Sequence, residues 1–140
     1  MGRIMCWPRG ENDEKKFIRA SQVMSPKRRW TLIAILYDTD EEISPAIAIG
    51  RWDAELVLAM RWNGTSENPI GNPQSRGLPT WFIVPSEFRD AILDKIPTDQ
   101  RALAQTIFQQ EDQQRNVVGV ARRDDDTGRI IYRSPRREAK

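Results

Sequence analysis

Residues 55–97 read ELVLAMRWNGTSENPIGNPQSRGLPTWFIVPSEFRDAILDKIP, and this stretch decides the fold of the chain. Its pattern predicts a strand at 56–62, a turn-rich loop at 63–78, another strand at 79–85 and a helix directly after it. The loop contains three glycines, two prolines and three asparagines. It is longer than an ordinary connection, which is typical either of a binding loop or of a padded excursion of the chain.

Two further strands are predicted before this stretch. Residues 29–37 are almost continuously apolar, with β-branched and aromatic side chains, which favours a central strand buried on both faces. Residues 44–51 predict the next strand, and the connection at 51–54 predicts a hairpin that leads into the strand at 56–62. The segment 17–24 is compatible with either a short helix or an edge strand.

Two helices and a hairpin are predicted towards the C-terminus. Ser86 is the expected cap of the first helix, and Thr98 is the expected cap of a second helix over 99–113. The apolar positions that mark their buried faces are Phe88, Ile92, Leu93 and Ile96 in the first helix and Leu103, Ala104, Ile107 and Phe108 in the second. Short strands at 117–122 and 128–133 flank an acidic turn at 124–126.

These elements predict an α+β fold, with a curved, mainly antiparallel sheet of four to six strands and two helices on one face. A chain of 140 residues is long enough for one domain with its own core. We expect a flexible arm at 1–16, a single domain at 17–133 and a basic C-terminal tail at 134–140. The chain has no apolar run of the roughly 18 residues that a membrane helix needs, and its start lacks the apolar core of a signal peptide. A cytoplasmic protein is therefore expected.

The side-chain chemistry argues against an enzyme. The sequence has no histidine and a single cysteine, Cys6, which excludes Ser-His-Asp and Cys-His catalysis and a cysteine-based zinc site. The glycines of the 63–78 loop lack the spacing of a phosphate-binding loop, and the aspartates at 124–126 lack the spacing of a calcium loop. We therefore expect no catalytic residue, no bound metal and no cofactor.

Arginine alternates with tryptophan in the predicted strands. The net charge is only +2, but Arg29-Trp30, Arg51-Trp52 and Arg61-Trp62 each place a guanidinium beside an indole. Proteins that hold single-stranded nucleic acid use flat rings to stack bases and cations to contact phosphates. The candidate nucleic-acid-binding residues are Arg29, Arg51, Arg61 and Arg76 as cations and Trp52 and Trp62 as stacking rings. The competing interpretation places the tryptophans in the core, because neighbouring strand residues point to opposite faces.

The order of the pieces LVLAMRW, the loop ending in Ser75-Arg76-Gly77, PTWFIVP and PSEFRDAILDKIP resembles the single-strand-binding transcriptional coactivators of the positive cofactor four and Whirly-like fold. The resemblance covers 29–97. It implies a curved antiparallel sheet that binds single-stranded DNA and a helix that forms a homodimer. The chain departs from that pattern in its second helix, its C-terminal hairpin and the absence of lysine from the strands.

The sequence thus predicts a non-enzymatic protein that binds nucleic acid, with a preference for single-stranded DNA or RNA. The alternative is a small protein–protein interaction or inhibitor module from a mobile element, which acts through the 63–78 loop and the tryptophans beside it. Neither hypothesis involves a membrane. The two differ in the partner that the exposed tryptophans contact.

Overall fold

The computed structural model describes residues 17–118, 121–123 and 130–132 of the chain. The chain divides into two compact units, Met1–Asp90 and Ala91–Lys140. The predictions for the arm at 1–16, the acidic turn at 124–126 and the tail at 134–140 lie outside the described residues. That residues 17–133 form one domain stays a prediction.

The first unit contains a four-stranded antiparallel sheet and a small two-stranded sheet, so the predicted α+β class and antiparallel sheet are confirmed. The large sheet has the order β1-β2-β3-β6, and the small one pairs β4 with β5. The strands of this unit are β1 (Trp30–Asp38), β2 (Pro45–Trp52), β3 (Glu55–Trp62), β4 (Gln74–Ser75), β5 (Leu78–Pro79) and β6 (Phe82–Ile83).

The prediction that the first long strand is central was wrong, because β1 lies at the edge of the sheet. Its pairing with β2 shifts register between Leu32 and Ala34 and again between Ile35 and Tyr37. Each shift inserts an extra residue and interrupts the alternation of faces. The apolar residues of 29–37 therefore do not alternate with polar ones as they would in a regular edge strand, although Thr31 and Ile33 are exposed.

Strands β2 and β3 form the predicted hairpin, and their register has no shift from Pro45↔Trp62 to Trp52↔Glu55. The turn consists of two residues, Asp53 and Ala54, with φ angles of 49° and 71°. Positive φ at both central residues is the requirement of a type I′ turn, whose twist matches that of paired strands. This hairpin carries four of the six candidate residues, Arg51, Trp52, Arg61 and Trp62.

A cluster of buried side chains lies on one face of the sheet, which we call the core face; on the opposite face the paired residues Ile49 and Leu58 are buried as well. Small side chains line the core face, because two tryptophan rings, Trp30 and Trp81, occupy the space above it with centroids 5.7 Å apart. A Cβ atom at Gly50 would lie 2.4 Å from the Trp30 ring, so this position has room only for glycine. The buried members of the cluster are Ala20, Val23, Trp30, Ala46, Ala48, Ala59 and Trp81.

The segments on either side of the sheet differ from the expectations. The strand predicted at 79–85 is divided at Thr80 and Trp81: Pro79 pairs with β4, whereas β6 pairs with β3. Trp81 is buried, and its Nε1 donates a hydrogen bond to the Val23 carbonyl at 3.0 Å. Of the two options for 17–24, the structure has a short 3-10 helix at Ala20–Gln22.

The helices are a 3-10 turn at Ser86–Phe88, α1 (Arg89–Leu93) and α2 (Thr98–Val118). Ser86 makes no capping hydrogen bond, since the 3-10 turn begins there after Pro85. Leu93, Ile96, Ala104 and Phe108 are buried as expected, but Phe88 and Leu103 are exposed. Helix α2 continues to Val118, so β7 (Ala121–Arg123) starts later than predicted before it pairs with β8 (Ile130–Tyr132). Within the described residues, no helix combines the length and apolarity needed to cross a bilayer.

Candidate nucleic-acid interface

The candidate residues do not form one surface. Trp52 pairs with Glu55 at the turn of the β2–β3 hairpin, whereas Trp62 lies at its opposite end. The two ends are seven residue steps apart along β3, from Glu55 to Trp62, which corresponds to about 24 Å. The unshifted register also puts Trp52 and Trp62 on opposite faces of the sheet. We call residues 27–29 and 51–54 the Trp52 end, and residues 38–44 and 62–72 the Trp62 end.

Arg61 is buried, so its predicted role as a phosphate contact does not fit the structure. It lies on the core face, where its Nη1 donates to the Thr80 carbonyl at 2.9 Å and its Nη2 donates to the Ile70 carbonyl. The guanidinium carbon lies 5.9 Å from the centre of the Trp81 ring. Arg61 therefore joins the 63–80 segment to the sheet.

Burial also changes the electrostatics of Arg61. It lowers the pKa of the guanidinium to about 10, and the negative charge of Asp38 opposes this shift. The group remains a cation at neutral pH because its pKa is still well above 7. Its hydrogen bonds to carbonyl oxygens offset part of the cost of removing the charge from water.

At the Trp52 end, a guanidinium and an indole do come together. The Arg29 carbon Cζ lies 5.0 Å from the centre of the half-buried Trp52 ring. Arg29 also pairs with Asp53, with its Nε at 2.9 Å from Oδ1. Hydrogen bonds and charge raise the pKa of Arg29, and the hydrogen bond with Arg29 lowers the pKa of the Asp53 carboxyl. The hairpin turn and the basic segment are thereby held side by side.

The other cations of this end have different roles. Lys27 and Arg28 are exposed, and neither forms an ion pair with another described residue. Arg51 is half-buried and donates through Nη1 to the Ala54 carbonyl at 3.1 Å. Because Arg51 lies on the sheet face opposite to Trp52, it supports the turn and does not extend the surface formed by Arg29 and Trp52. Lys27 and Arg28 are therefore the exposed cations of this end that no described carboxylate balances, whereas Arg29 is exposed but paired with Asp53.

Arg76 occupies the predicted turn, but on the small sheet. Arg76 and Gly77 join β4 to β5 with φ angles of 52° and 74°, and both residues are exposed. A hydrogen bond stabilises the base of this β4–β5 hairpin, where the Gln74 side chain donates to the Gly71 carbonyl at 2.9 Å. Arg76 is therefore presented on a separate projection from the surface at Arg29 and Trp52.

The Trp62 end has a cavity of about 330 Å³ beneath exposed apolar side chains. Trp62 is 44% exposed and Ile43 is 67% exposed. The 63–72 loop folds back on the strand, because the Trp62 amide donates to the Asn72 carbonyl at 2.7 Å and the Asn72 amide donates to the Trp62 carbonyl at 3.0 Å. The residues that line the cavity are Ile43, Trp62, Asn63, Gly64, Thr65, Asn68, Gly71 and Asn72.

Asn63 is the polar side chain that joins this cavity to the acidic turn. It is 3% exposed, and its Nδ2 donates to Asp38 Oδ1 at 2.9 Å and to the Glu41 carbonyl at 3.2 Å. Its Oδ1 is buried and has no hydrogen-bond partner in the described part of the chain. A buried acceptor without a partner is uncommon in folded proteins and costs free energy.

The sequence did not identify Ile43 or Asn63 as site residues. The 38–42 segment has the composition of an ordinary acidic turn, and one isoleucine beside it is a weak signal. Asn63 begins a loop rich in asparagine and glycine, where an asparagine is expected to serve the turn. Only the folding of two distant segments onto each other brings these side chains to one cavity.

Comparisons with known proteins do not assign this chain to a family. Models of known protein families, curated proteins and solved structures gave no match to this chain. The resemblance to single-strand-binding coactivators therefore stays a prediction. Among the described residues, no three Cys, Asp or Glu side chains are grouped closely enough to hold a metal ion.

Proposed function

We propose that this protein is a non-enzymatic nucleic-acid-binding protein and that its contact surface is the Trp52 end of the sheet. The observation that carries the proposal is the set of three consecutive exposed cations, Lys27, Arg28 and Arg29, beside an indole that one of them covers. Cations and a flat ring in one place are the two groups that single-stranded nucleic acid requires.

The contacts assign separate roles to these cations. Arg29 is already balanced by Asp53, so Lys27 and Arg28 are the groups available to bind phosphate. The guanidinium of Arg29 lies over Trp52, and its plane is the surface on which a base would stack, as bases do on arginine as well as on aromatic rings. Arg61 has no part in this interface, and Trp62 lies too far away to share one nucleotide with Trp52.

The test is a salt titration with a labelled single-stranded oligonucleotide and the Lys27→Gln/Arg28→Gln double variant. Each phosphate contact on single strands contributes about 0.7 to the slope of log affinity against log salt. Loss of both contacts should reduce the magnitude of this slope by about 1.4. Duplex DNA of the same sequence, measured in parallel, tests the preference for single strands.

The matched control is the Arg19→Gln/Lys95→Gln double variant, which removes the same charge from exposed positions elsewhere. It should keep the wild-type slope. Equal slopes for the two double variants would mean that any binding reflects overall charge, and the proposed interface would then be rejected.

A specific observation favours the second candidate, a protein–protein interaction module. Trp62 and Ile43 at the Trp62 end are exposed, and so is Phe82 on the neighbouring strand β6. Exposed apolar side chains that lie close together mark interaction sites more often than scattered single ones do. The surface agrees with the sequence hypothesis that the 63–78 loop and its adjoining tryptophan contact a partner.

A further inference from the structure

We propose that the cavity at the Trp62 end binds an arginine side chain from a basic segment of a protein partner. This proposal makes the second candidate function specific, and it is independent of the nucleic-acid interface, which uses the other end of the hairpin. The cavity of about 330 Å³ is at the small end of the range for ligand pockets, about 300–1,000 Å³. It suits one side chain better than a large cofactor.

The charge around the cavity selects a cation. The segments 38–42 and 61–72 contain five carboxylates and one cation, Arg61. Arg61 is buried and donates to backbone carbonyls, and every other charged side chain of these two segments is a carboxylate. A cleft with one sign of charge raises the local concentration of the opposite ion. The five carboxylates are Asp38, Asp40, Glu41, Glu42 and Glu67.

Two lining side chains match the chemistry of a guanidinium. Trp62 offers a partly exposed indole, and arginine stacks on tryptophan more readily than lysine does. Asn63 lines the same cavity with a buried Oδ1 that has no partner among the described residues. The N–H groups of a guanidinium would supply the missing donor, since arginine carries five donors in a planar fork.

Ile43 gives a further reason to regard the cavity as a binding site. It lies at φ 60°, a left-handed conformation that is an outlier for a β-branched residue. It is also largely exposed, so burial of its side chain does not offset the strain. Strained residues of this kind concentrate at binding sites. A partner that covers Ile43 would explain why an apolar side chain occupies a position suited to glycine or asparagine.

The experiment uses the full chain labelled with ¹⁵N and a short blocked peptide with a single arginine among glycines. The matched probes replace arginine by citrulline, which keeps the shape but removes the charge, and by glutamate. We expect the arginine peptide to shift the Trp62 indole and Asn63 amide signals with a dissociation constant on the order of 1 mM. The citrulline peptide should bind at least about fivefold more weakly, and the glutamate peptide should not bind.

Two pairs of variants locate the site. Trp62→Ala should abolish the shift of the Asn63 signal, whereas Phe88→Ala, which removes an exposed ring outside the cavity lining, should leave it unchanged. Glu41→Gln/Glu67→Gln should weaken binding of the arginine peptide by at least about threefold. Glu55→Gln/Glu87→Gln, with equal charge removed elsewhere, should not weaken it.

Ile43→Gly separates binding from folding. Relief of the positive φ should raise the melting temperature of the protein, whereas loss of the apolar lining should lower its affinity for the arginine peptide. Equal affinity for the arginine and citrulline peptides would overturn the proposal, because charge would then not be recognised. Equal affinities in the two carboxylate variants would overturn it as well, because the cation would then bind elsewhere. Either result leaves the salt-slope test of the Trp52 end unaffected.

Discussion

The two Arg-Trp pairs of the β2–β3 hairpin have the same sequence and opposite environments. In Arg61-Trp62 the guanidinium is buried on the core face and the indole is 44% exposed. In Arg51-Trp52 both side chains are half-buried, and Trp52 is the one that lies on the core face. An Arg-Trp dipeptide in a strand therefore does not by itself define a surface, because the register decides which of the two faces the core.

The difference follows from what closes each end of the hairpin. At the Trp52 end a two-residue turn leaves the strand ends open to water, and Arg51 donates to the Ala54 carbonyl of that turn. At the Trp62 end the chain returns across the core face and covers Arg61 with the carbonyls of Ile70 and Thr80. A cation can be buried there because the returning segment supplies acceptors.

The largest expected effect is the loss of Arg61. Arg61→Met keeps an unbranched side chain but leaves the Ile70 and Thr80 carbonyls without their donor, at about 1–3 kcal/mol each. Removal of a buried charge returns part of this cost. We expect the free energy of unfolding to fall by about 2–4 kcal/mol, measured by urea denaturation.

The control for this prediction is Arg51→Met, which removes a half-buried guanidinium from the other end. It should cost less than about 1 kcal/mol, as most substitutions near the surface do. If the two variants are equally stable, the environments of the two arginines do not differ as the structure indicates.

The next effect compares the tryptophans. Trp52→Ala removes a ring that packs against the core cluster and should cost about 2 kcal/mol, below the 3–5 kcal/mol of a fully buried tryptophan. Trp62→Ala removes a ring that is nearly half exposed and should cost about 1 kcal/mol. Thermal melts of both variants in the same buffer give the order, and a more damaging Trp62→Ala would show that Trp62 is a core residue.

The strands could be predicted from the sequence, but their positions in the sheet could not. Apolar alternation identified β2 and β3, and the short connection identified the hairpin that joins them. Strand β1 was identified as well, yet its bulges made an edge strand read as a central one. Edge and centre differ in pairing partners, which a local pattern does not contain.

The candidate site was harder to predict, because its parts come from separate segments. Alternation did indicate that Arg61 and Trp62 point to opposite faces, but it did not tell which face would be covered. That outcome depends on Trp81 and on the Ile70 and Thr80 carbonyls, which approach Arg61 only after the 63–80 segment folds back. Lys27 and Arg28, by contrast, are adjacent in the sequence, so this cation cluster needs no folding to bring its members together, and both residues are exposed in the structure.

The smallest effect concerns the turns of the two hairpins, where the same backbone geometry has different residues. The β2–β3 turn has Ala54 at φ 71°, and the β4–β5 turn has Gly77 at φ 74°. A left-handed conformation costs a non-glycine residue about 1–2 kcal/mol, whereas glycine adds about 0.5–1 kcal/mol of backbone entropy on folding. Ala54→Gly should therefore raise the free energy of unfolding by about 0.5–1 kcal/mol.

The converse change, Gly77→Ala, should lower the stability by a similar amount through the backbone alone, because no atom lies within 4 Å of the added Cβ. Urea denaturation of the two variants measures both signs, with Gly77→Ser as a second variant that meets the same backbone cost. The Arg51 hydrogen bond to the Ala54 carbonyl remains in Ala54→Gly, so a gain there isolates the φ strain. If Ala54→Gly has no effect while Gly77→Ala destabilises, the Trp52 end is held by Arg29 and Asp53 strongly enough to make the turn residue unimportant.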